Sequence, residues 1–231
     1  MENKKNSDLE VIQFIIKKGG LLFGNFRLKS NRISPYFFNL ANIVMDGEGL
    51  VSISRVFANF IHDYIGLDSF DLIFGPAYKG ISLSAAICMQ LYNLYNVNKR
   101  WGYDRKEIKK YGDKKEKWLI GKFMDNDQIL IVDDVLTTGL TKINIIEKIK
   151  KNSDVNNLEF VGILVLLDRQ EKMENNISAE KYLENSGLKC YSILKIKEIY
   201  DILYNKTIEN KIVINSEKYK QFKDYIKKYG S

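Results

Sequence analysis

The sequence has 231 residues, and its 36 lysine and arginine residues exceed its 29 acidic residues to give a formal net charge of +7 at pH 7. The basic residues alternate with acidic ones along the chain, which indicates solvated surface and favours an anionic small molecule over nucleic acid as the partner. Two cysteines without metal or disulfide spacing, a longest apolar run of only FVGILVLL and a polar N-terminal stretch exclude a disulfide scaffold, a zinc site and a membrane protein, so we expect a cytoplasmic protein.

The N-terminal part of the chain is predicted to form a helix followed by a small lobe. Ser7 or Asp8 is a suitable N-cap for a first helix, and Gly19 with Gly20 is suited to end it. Residues 21–40, LLFGNFRLKSNRISPYFFNL, show no helical period and contain a glycine and a proline. This stretch therefore predicts two short strands of the small lobe.

A second helix is predicted between Asp46 and Gly66. The single histidine, His62, lies within it, and we expect a structural role because one histidine alone is no metal site. Apolar side chains recur along this segment at helical spacing, which is typical of a helix that packs on the core. These side chains are Leu50, Ile53, Val56, Phe57, Phe60, Ile61 and Tyr64.

From Asp71 onward the sequence alternates strand-like and helix-like segments. The strand-like segments are DLIFG, QILIVDD, LEFVGILVLLD and KCYSILKI, and helical stretches follow them near Ile81, near Gly139, at SAEKYLENSG and at KEIYDILYNK. This alternation predicts an α/β fold with a central parallel sheet flanked by helices on both faces. In such sheets ligands bind beyond the carboxyl ends of the strands. A last amphipathic helix is predicted at SEKYKQFKDYIKKYG, and no linker divides residues 1–231, so one domain is expected.

Two adjacent carboxylates, Asp133 and Asp134, follow the apolar run ILIV at the predicted end of a strand. At that position we expect them to be exposed to water and free to accept hydrogen bonds from hydroxyl groups or metal-bound water. The turn TTGLT, residues 137–141, then opens a helix whose free N–H groups suit a phosphate. Together they suggest a phosphorylated ribose site. On its own, an acid pair is also explained by one helix cap and one exposed side chain.

The whole string ILIVDDVLTTG resembles the phosphoribosyl pyrophosphate motif of type I phosphoribosyltransferases. The sequence contains neither the glycine-rich loop of nucleoside triphosphatases nor that of dinucleotide enzymes. A protein that binds a deoxyribose phosphate or a nucleotide without catalysis is also consistent with this motif alone. Three further strings, FRLKSNRISPYFFN (26–39), FGPAYKGI (74–81) and LLDRQEK (166–172), are similar in order and spacing to signatures of the orotate phosphoribosyltransferase family. The resemblance covers nearly the whole chain.

This resemblance implies a Rossmann-like type I phosphoribosyltransferase fold. A small hood would comprise residues 21–42 and C-terminal segments, and a mobile catalytic loop would span about residues 104–118. It also implies a pentosyltransferase that joins orotate and phosphoribosyl pyrophosphate into orotidine 5′-monophosphate and pyrophosphate, in the de novo synthesis of UMP. The implied cofactor is Mg²⁺, bound through substrate and water near Asp133 and Asp134. The implied partners are a second subunit that shares the loop and, in some members, orotidine monophosphate decarboxylase.

Position by position, the resemblance implies that orotate is bound by Phe37, Phe38, Thr137 and Arg169. An arginine fork suits the orotate carboxylate and aromatic rings suit its flat ring. The aromatic pair could equally belong to the core, and Arg169 could pair with Asp168. The assigned catalytic residues are Arg105, Lys106, Lys109, Asp133 and Asp134. The residues assigned to phosphoribosyl pyrophosphate are Lys29, Tyr78, Lys79, Arg105, Lys106, Lys109, Tyr111, Asp133, Asp134, Val135, Leu136, Thr137, Thr138, Gly139, Leu140 and Thr141.

The stretch RKEIKKYGDKKEK, residues 105–117, resembles the family's catalytic loop and holds seven basic residues against three acidic ones. A solvated helix would explain such a charge run equally well without the other signatures. Tyr111 stands where the family commonly has a loop histidine, and Leu140 stands where it often has a second hydroxyl.

Two other functions are consistent with parts of the sequence. A phosphoribosyltransferase for a purine or for uracil would share the phosphate motif, but Arg169 and the aromatic pair argue for orotate. A nucleic-acid-binding regulator that senses phosphoribosyl pyrophosphate would account for the basic charge. The sequence contains no appended DNA-binding module, and the basic loop would be superfluous in a sensor.

Overall fold

The computed structural model describes residues 2–28, 30–107, 118–173 and 176–231, with side chains from residue 6 onward. The helices are α1 Glu2–Lys17, α2 Leu40–Ile43, α3 Gly47–Phe60, α4 Lys79–Tyr95, α5 Leu140–Asn152, α6 Ala179–Asn185, α7 Ile196–Leu203 and α8 Ser216–Tyr229. The strands are β1 Leu21–Arg27, β2 Ile33–Phe38, β3 Leu72–Phe74, β4 Arg100–Asp104, β5 Leu119–Ile120, β6 Gln128–Leu136, β7 Glu159–Asp168, β8 Cys190–Lys195, β9 Thr207–Ile208 and β10 Lys211–Ile212.

Helix α1 ends where predicted but begins earlier than predicted. The prediction of an N-cap at Ser7 or Asp8 is wrong, because both residues lie inside a helix that starts at Glu2. The glutamate and lysines that precede them are good helix formers, which extends the helix past a potential cap. At the other end Gly19 has a φ of 69°, and Gly20 donates its N–H to the carbonyl of Ile15. This backbone pattern terminates a helix and suits glycine.

The predicted small lobe is confirmed as an antiparallel hairpin of β1 and β2, in which Leu21 pairs with Phe38 and Arg27 with Ile33. C-terminal helices complete the lobe. Tyr36 of β2 is fully buried and its ring lies 6.3 Å from those of Tyr200 in α7 and Tyr225 in α8. The hairpin and the chain's C-terminal region therefore share one apolar cluster.

The central sheet has the strand order β5-β4-β3-β6-β7-β8, in which all neighbours are parallel except the edge pair β4 and β5. The predicted parallel sheet is confirmed. Strands β4 and β5 were not predicted, because the β4 sequence RWGYD has charged ends and little apolar periodicity. Those charges are paired in the fold, Arg100 with Asp127 and Asp104 with Lys148.

Both faces of the sheet are buried, as expected for parallel strands covered by helices. On one face Ile73, Leu130, Val132, Leu164 and Leu166 join a core with α1, α3, α4, α7 and α8. On the other face Leu72, Phe74, Ile129, Ile131, Ile163 and Val165 pack with α5 and α6. Alternate residues of each strand thus belong to different cores.

The predicted helix after Asp46 is confirmed, with Asp46 as its N-cap through a hydrogen bond from the Gly49 N–H. Its last turn, Ile61–Ile65, is a π-helix. Since a π-turn shifts the side chains that follow it, the prediction that Tyr64 faces the core is wrong, and Tyr64 is exposed. His62 is also exposed, and its ring stacks on Tyr95 at 4.4 Å.

The strand order reverses between β3 and β6. From β3 the chain runs through α4 to β4 on one side, whereas β6 lies on the other side of β3 and leads into α5 on the opposite face of the sheet. A crevice therefore opens beyond the carboxyl ends of β3 and β6, where sheets of this class bind ligands. No helix in the described ranges is long and apolar enough to cross a membrane.

Candidate active site

The acid pair lies at this crevice, but within β6 rather than beyond it. Pairing with β7 continues to Leu136, so the strand extends two residues past Asp134. The Oδ2 atom of Asp134 lies 2.7 Å from the Nζ atom of Lys79, and Asp133 forms an ion pair with Lys142. The expectation that both carboxylates are exposed is wrong: Asp134 is buried and Asp133 is half-buried.

Burial and the neighbouring charge shape the acidity of Asp134. Burial raises the pKa of its carboxyl, the charge of Asp133 adds to the rise, and Lys79 opposes both. Asp133 uses one oxygen for Lys142 and the other to accept the backbone N–H of Asp134. The buried carboxylate and its half-buried neighbour are thus held as two ion pairs, which limits the cost of placing both at one site.

The turn between β3 and α4 supplies Lys79. A Cβ atom on Gly75 would lie 1.8 Å from the carbonyl oxygen of Gly80, so the two ends of the turn are in direct backbone contact. The Ala77–Tyr78 peptide bond is cis. Tyr78, next to Lys79, is 71% exposed and points its ring toward solvent. The turn therefore presents an aromatic residue and a cation beside the acid pair.

The turn after β6 has the form expected from the sequence. Gly139 has a φ of 76° and precedes α5, which begins at Leu140, while Thr137 and Thr138 are exposed. The first N–H groups of a helix have no acceptor within it and carry partial positive charge. Val135 and Leu136 contribute backbone, because their side chains pack in the two cores.

A cavity of about 710 Å³ opens between this turn and the small lobe. Three cations and one acid line it, together with hydroxyl and apolar groups, so it suits a small anion with a flat apolar surface. Its lining residues are Leu28, Ser30, Arg32, Thr137, Thr138, Leu140, Arg169, Glu171, Lys172 and Met173.

Arg169 lies at the back of this cavity and is held by Glu171. Its Nε and Nη2 atoms lie 2.8 and 2.6 Å from Glu171 Oε1, and its guanidinium carbon is 4.6 Å from the ring centre of Tyr36. Burial alone would lower the pKa of Arg169, but Tyr36 and Glu171 raise it overall. The arginine therefore stays charged. The alternative pairing with Asp168 does not occur, since Asp168 accepts the N–H of Gln170.

Sequence reasoning missed the groups that orient Arg169. Tyr225 in α8 donates its hydroxyl to Glu171 at 2.7 Å, and Tyr36 donates to the same oxygen at 3.3 Å. Arg32 stacks on Tyr229 and lies 3.8 Å from Glu171. Glu171 lies two residues after Arg169 in LLDRQEK, so the local sequence could have suggested this ion pair. Tyr36 and Tyr225 lie far from Arg169 in the sequence, and no local pattern links them to it.

The structure does not bring both members of the aromatic pair to the cavity. Adjacent strand residues point to opposite faces, so Phe37 is exposed beside Phe26 at 5.6 Å, whereas Phe38 packs against the core. Neither belongs to the described residues that line the cavity.

A second cavity, of about 390 Å³, lies on the other side of the acid pair. It is lined by Asp133 and Lys142 together with Lys106, Asp104 and Lys148. Arg105 is half-buried and Lys106 is exposed at the start of the predicted loop. The other basic candidates, Lys29 and Lys109, and also Tyr111, lie outside the described residues.

Comparison with known proteins defines the class of this fold and site. The family model described as the phosphoribosyl transferase domain matches residues 43–187. The chain is 36% identical over 223 residues to an orotate phosphoribosyltransferase of Clostridium acetobutylicum, covering 96% of each chain. It is 34% identical over 232 residues to that of Agathobacter rectalis, covering all of this chain and 99% of the relative. The chain belongs to the orotate phosphoribosyltransferase family.

Solved structures agree with this assignment. A crystal structure of orotate phosphoribosyltransferase from Francisella tularensis has a TM-score of 0.77 and 33% identity, with 96% of this chain and all of that chain covered. The Leishmania donovani UMP synthase structure has a TM-score of 0.73 and 25% identity. The match covers 97% of this chain but only 43% of that chain.

Proposed function

We propose that this protein transfers the phosphoribosyl group of phosphoribosyl pyrophosphate to orotate, giving orotidine 5′-monophosphate and pyrophosphate on the route to UMP. The observation that carries the proposal is the buried, charged Arg169 in a cation-lined cavity that is bordered by the 137–141 turn, which directly follows the strand of the acid pair. Membership of the orotate phosphoribosyltransferase family supports the same reaction.

Phosphoribosyl pyrophosphate would lie across the crevice. The amide groups of residues 137–141 would hold its 5′-phosphate, because a helix N-terminus attracts anions. Lys79 would turn from Asp134 to the pyrophosphate, which leaves the Asp134 carboxylate free to accept a ribose hydroxyl. Lys142 would remain on Asp133. The ion pair between Lys79 and Asp134 thus holds two binding groups ready for opposite ends of the same substrate.

Orotate would occupy the cavity of about 710 Å³. The Arg169 guanidinium would face its carboxylate, with Arg32 and Lys172 adding positive charge and Thr137 lying nearest the phosphoribosyl side. Because Glu171 already engages one edge of the guanidinium, the other edge is the one directed at the ligand. Phe37 and Phe38 remain a proposal from the family resemblance, and a contact with Phe37 would require a change in the hairpin.

In the reaction, the bond between C1′ and the pyrophosphate oxygen breaks and a bond from orotate N1 to C1′ forms. The leaving pyrophosphate gains negative charge, which Arg105, Lys106 and, by family resemblance, Lys109 would stabilise together with Lys79. Orotate N1 loses its acidic proton to water or to the departing pyrophosphate, so the reaction needs little base catalysis from the protein. Lys29 and Tyr111 would contribute further contacts to pyrophosphate.

Magnesium is the cofactor that this chemistry favours. Within the described ranges no cluster of three or more histidine, cysteine, aspartate or glutamate side chains suits a metal ion. The residues therefore fit a Mg²⁺ held by substrate oxygens and water, with Asp133 and Asp134 as acceptors for that water. Such an ion would offset charge on the leaving pyrophosphate.

We propose a homodimer in which the basic loop reaches the neighbouring site. Three exposed apolar side chains, Tyr78 in the turn before α4 and Met89 and Tyr92 on α4, support an apolar contact that starts at the edge of the crevice. The two cysteines are free, and burial raises the pKa of each thiol to about 12, which is consistent with the cytoplasm.

A complex with orotidine monophosphate decarboxylase is proposed from the family resemblance, and the UMP synthase match supports it.

A spectrophotometric assay of orotate consumption tests the proposal. With phosphoribosyl pyrophosphate and Mg²⁺ we expect turnover of orotate and none of uracil, adenine or hypoxanthine. Arg169→Lys should raise the KM for orotate about tenfold or more, because lysine lacks the planar fork and leaves Glu171 poorly paired. Lys172→Met, at the cavity rim, is the matched control with a smaller effect. Turnover of another base in preference to orotate would contradict the proposal.

A further inference from the structure

We infer that Asp104 and Lys148 form a positioning pair for the phosphoribosyl pyrophosphate site, a role that deepens and rests on the proposed function. Neither residue is among the binding or catalytic residues that the family resemblance implies, and neither contacts the acid pair directly. Both line the smaller cavity beside Asp133 and Lys106. Their effect would be exerted through the two loops that carry the pyrophosphate-binding cations.

Asp104 links the end of β4 to the turn that carries Tyr78 and Lys79. Its Oδ1 atom accepts the backbone N–H of Ala77 at 2.7 Å, and its Oδ2 atom lies 2.8 Å from Lys148 Nζ. Its side chain is 3% exposed. A carboxylate buried to this extent needs a cation, and Lys148 supplies it from α5.

Lys148 links the same point to both ends of the basic segment. Its Nζ atom donates to the carbonyl oxygen of Arg105 at 3.1 Å and lies 4.3 Å from the ring centre of Trp118. The N–H of Arg105 also donates to the carbonyl oxygen of Trp118 at 2.8 Å. Lys148 therefore contacts both Arg105 and Trp118, the two residues that flank positions 106–117 in the sequence.

The ion pair of Asp104 and Lys148 thus connects three parts of the chain: residues 76–79, the end of β4, and Trp118. Loss of the lysine charge would leave Asp104 buried without a cation and would loosen its hydrogen bond to Ala77. Lys79 and Lys106 would then be presented less accurately to pyrophosphate. The cavity around Arg169 is lined by residues between β1 and β2, by the turn after β6 and by residues 169–173, whereas the pair lines the smaller cavity. Orotate binding should therefore be affected much less.

Four single variants and one double variant test this inference. Lys148→Met keeps the length of the side chain and removes its charge, Lys148→Arg keeps the charge, and Asp104→Asn keeps an oxygen for the Ala77 N–H. Lys151→Met is the matched control, since Lys151 is exposed on the same helix. Steady-state KM values for phosphoribosyl pyrophosphate and for orotate are measured separately, with thermal melting as a check of folding.

We expect Lys148→Met to lower kcat/KM for phosphoribosyl pyrophosphate about tenfold or more, because small displacements of positioned groups have effects of this size. The KM for orotate should change less than twofold, and Lys148→Arg should recover most of the loss. The double variant Asp104→Asn/Lys148→Met should be no worse than Lys148→Met alone, since it buries no unpaired charge. If Lys148→Met fails to fold, Asp104→Asn and Lys148→Arg provide the same comparison of the two KM values.

Equal changes in both KM values, or a Lys148→Met variant that matches Lys151→Met, would overturn the positioning role while leaving the proposed function intact. A parent protein that does not turn over orotate with phosphoribosyl pyrophosphate would instead overturn the proposed function, and this inference with it.

Discussion

At the scale of single residues, the site is defined by buried charges that each have an identified partner. Asp134 pairs with Lys79, Asp133 with Lys142, and Glu171 with Arg169. A buried charge without a partner is strongly unfavourable, so these pairs fix the positions of their members. The pair of Lys79 and Asp134 also holds two groups that a charged substrate would need, because each of the two can exchange its protein partner for a substrate group.

The raised pKa of Asp134 predicts a specific dependence of stability on pH. Since burial holds the folded-state pKa above the ordinary value of about 3.9, the native state binds more protons than the unfolded state between these two values. The contribution of Asp134 to stability is therefore present below the ordinary value and is lost as pH rises through the folded-state pKa. Asp134→Asn should remove this loss, so its melting temperature relative to the parent should increase with pH across that window.

Melting curves of the parent and variant, taken from about pH 3 to about pH 8, provide the measurement. Asp68→Asn, at an exposed position before β3, is the control and should track the parent. A difference between Asp134→Asn and the parent that is constant with pH, or that decreases as pH rises, would show that the carboxyl titrates at or below its ordinary value.

At the scale of elements, the site is formed by two turns that follow neighbouring parallel strands. The turn after β6 exposes Thr137 and Thr138. In the turn after β3, the backbones of Gly75 and Gly80 are in direct contact. That contact leaves no room for a side chain at either end. It also places Lys79, the first residue of α4, within reach of Asp134 on β6.

Gly80→Ala should therefore disturb the site from its supporting backbone. The new Cβ atom would lie 2.6 Å from the carbonyl carbon and 2.9 Å from the Cα atom of Gly75. We expect a loss of about 1–3 kcal/mol in the free energy of unfolding, together with a higher KM for phosphoribosyl pyrophosphate. Gly47→Ala, at the start of α3 with nothing within 4 Å of its Cβ, is the control.

Chemical denaturation and steady-state kinetics of both variants give the comparison. The control should be neutral or slightly stabilising, because alanine restricts the unfolded chain. Equal stabilities of the two alanine variants would mean that the turn between β3 and α4 opens without cost.

At the scale of the whole molecule, the crevice borders exposed apolar side chains. Tyr78 lies in the turn at the crevice, immediately before α4, and Met89 and Tyr92 are exposed on that helix. A second subunit that covered these side chains would meet the site at Tyr78. If that subunit also places its Lys106 beside the acid pair of the first subunit, each site is shared between the two subunits.

Mixing two inactive variants tests the shared site. If Lys106→Ala and Asp134→Asn subunits exchange freely, half of the dimers are mixed and each contains one intact composite site. Recovery should then approach about one quarter of the parental activity, as two-fold symmetry requires. Exchange is verified by co-purification of differently tagged subunits. Two tagged forms of Lys106→Ala serve as the control, and exchange without recovery would assign Lys106 to the site of its own subunit.

The sequence by itself determined the order of the elements and the chemistry they carry. Apolar runs at strand and helix spacing gave the β3, β6, β7 and β8 strands and the helices after them, because these patterns are local. The string from Ile129 to Gly139 and the three further signatures indicated the family, and they predicted that Arg169 and the acid pair belong to the site.

Only the tertiary structure decided which of these groups meet and in what state. Lys79 and Asp134 are 55 positions apart, and Glu171 and Tyr225 are 54 apart, so their pairing depends on β3 lying beside β6 and on α8 packing against the hairpin. The burial of Asp134 and the divergence of Phe37 from Phe38 likewise follow from strand pairing. Strand neighbours and side-chain burial are products of the packed sheet, and local sequence patterns do not contain them.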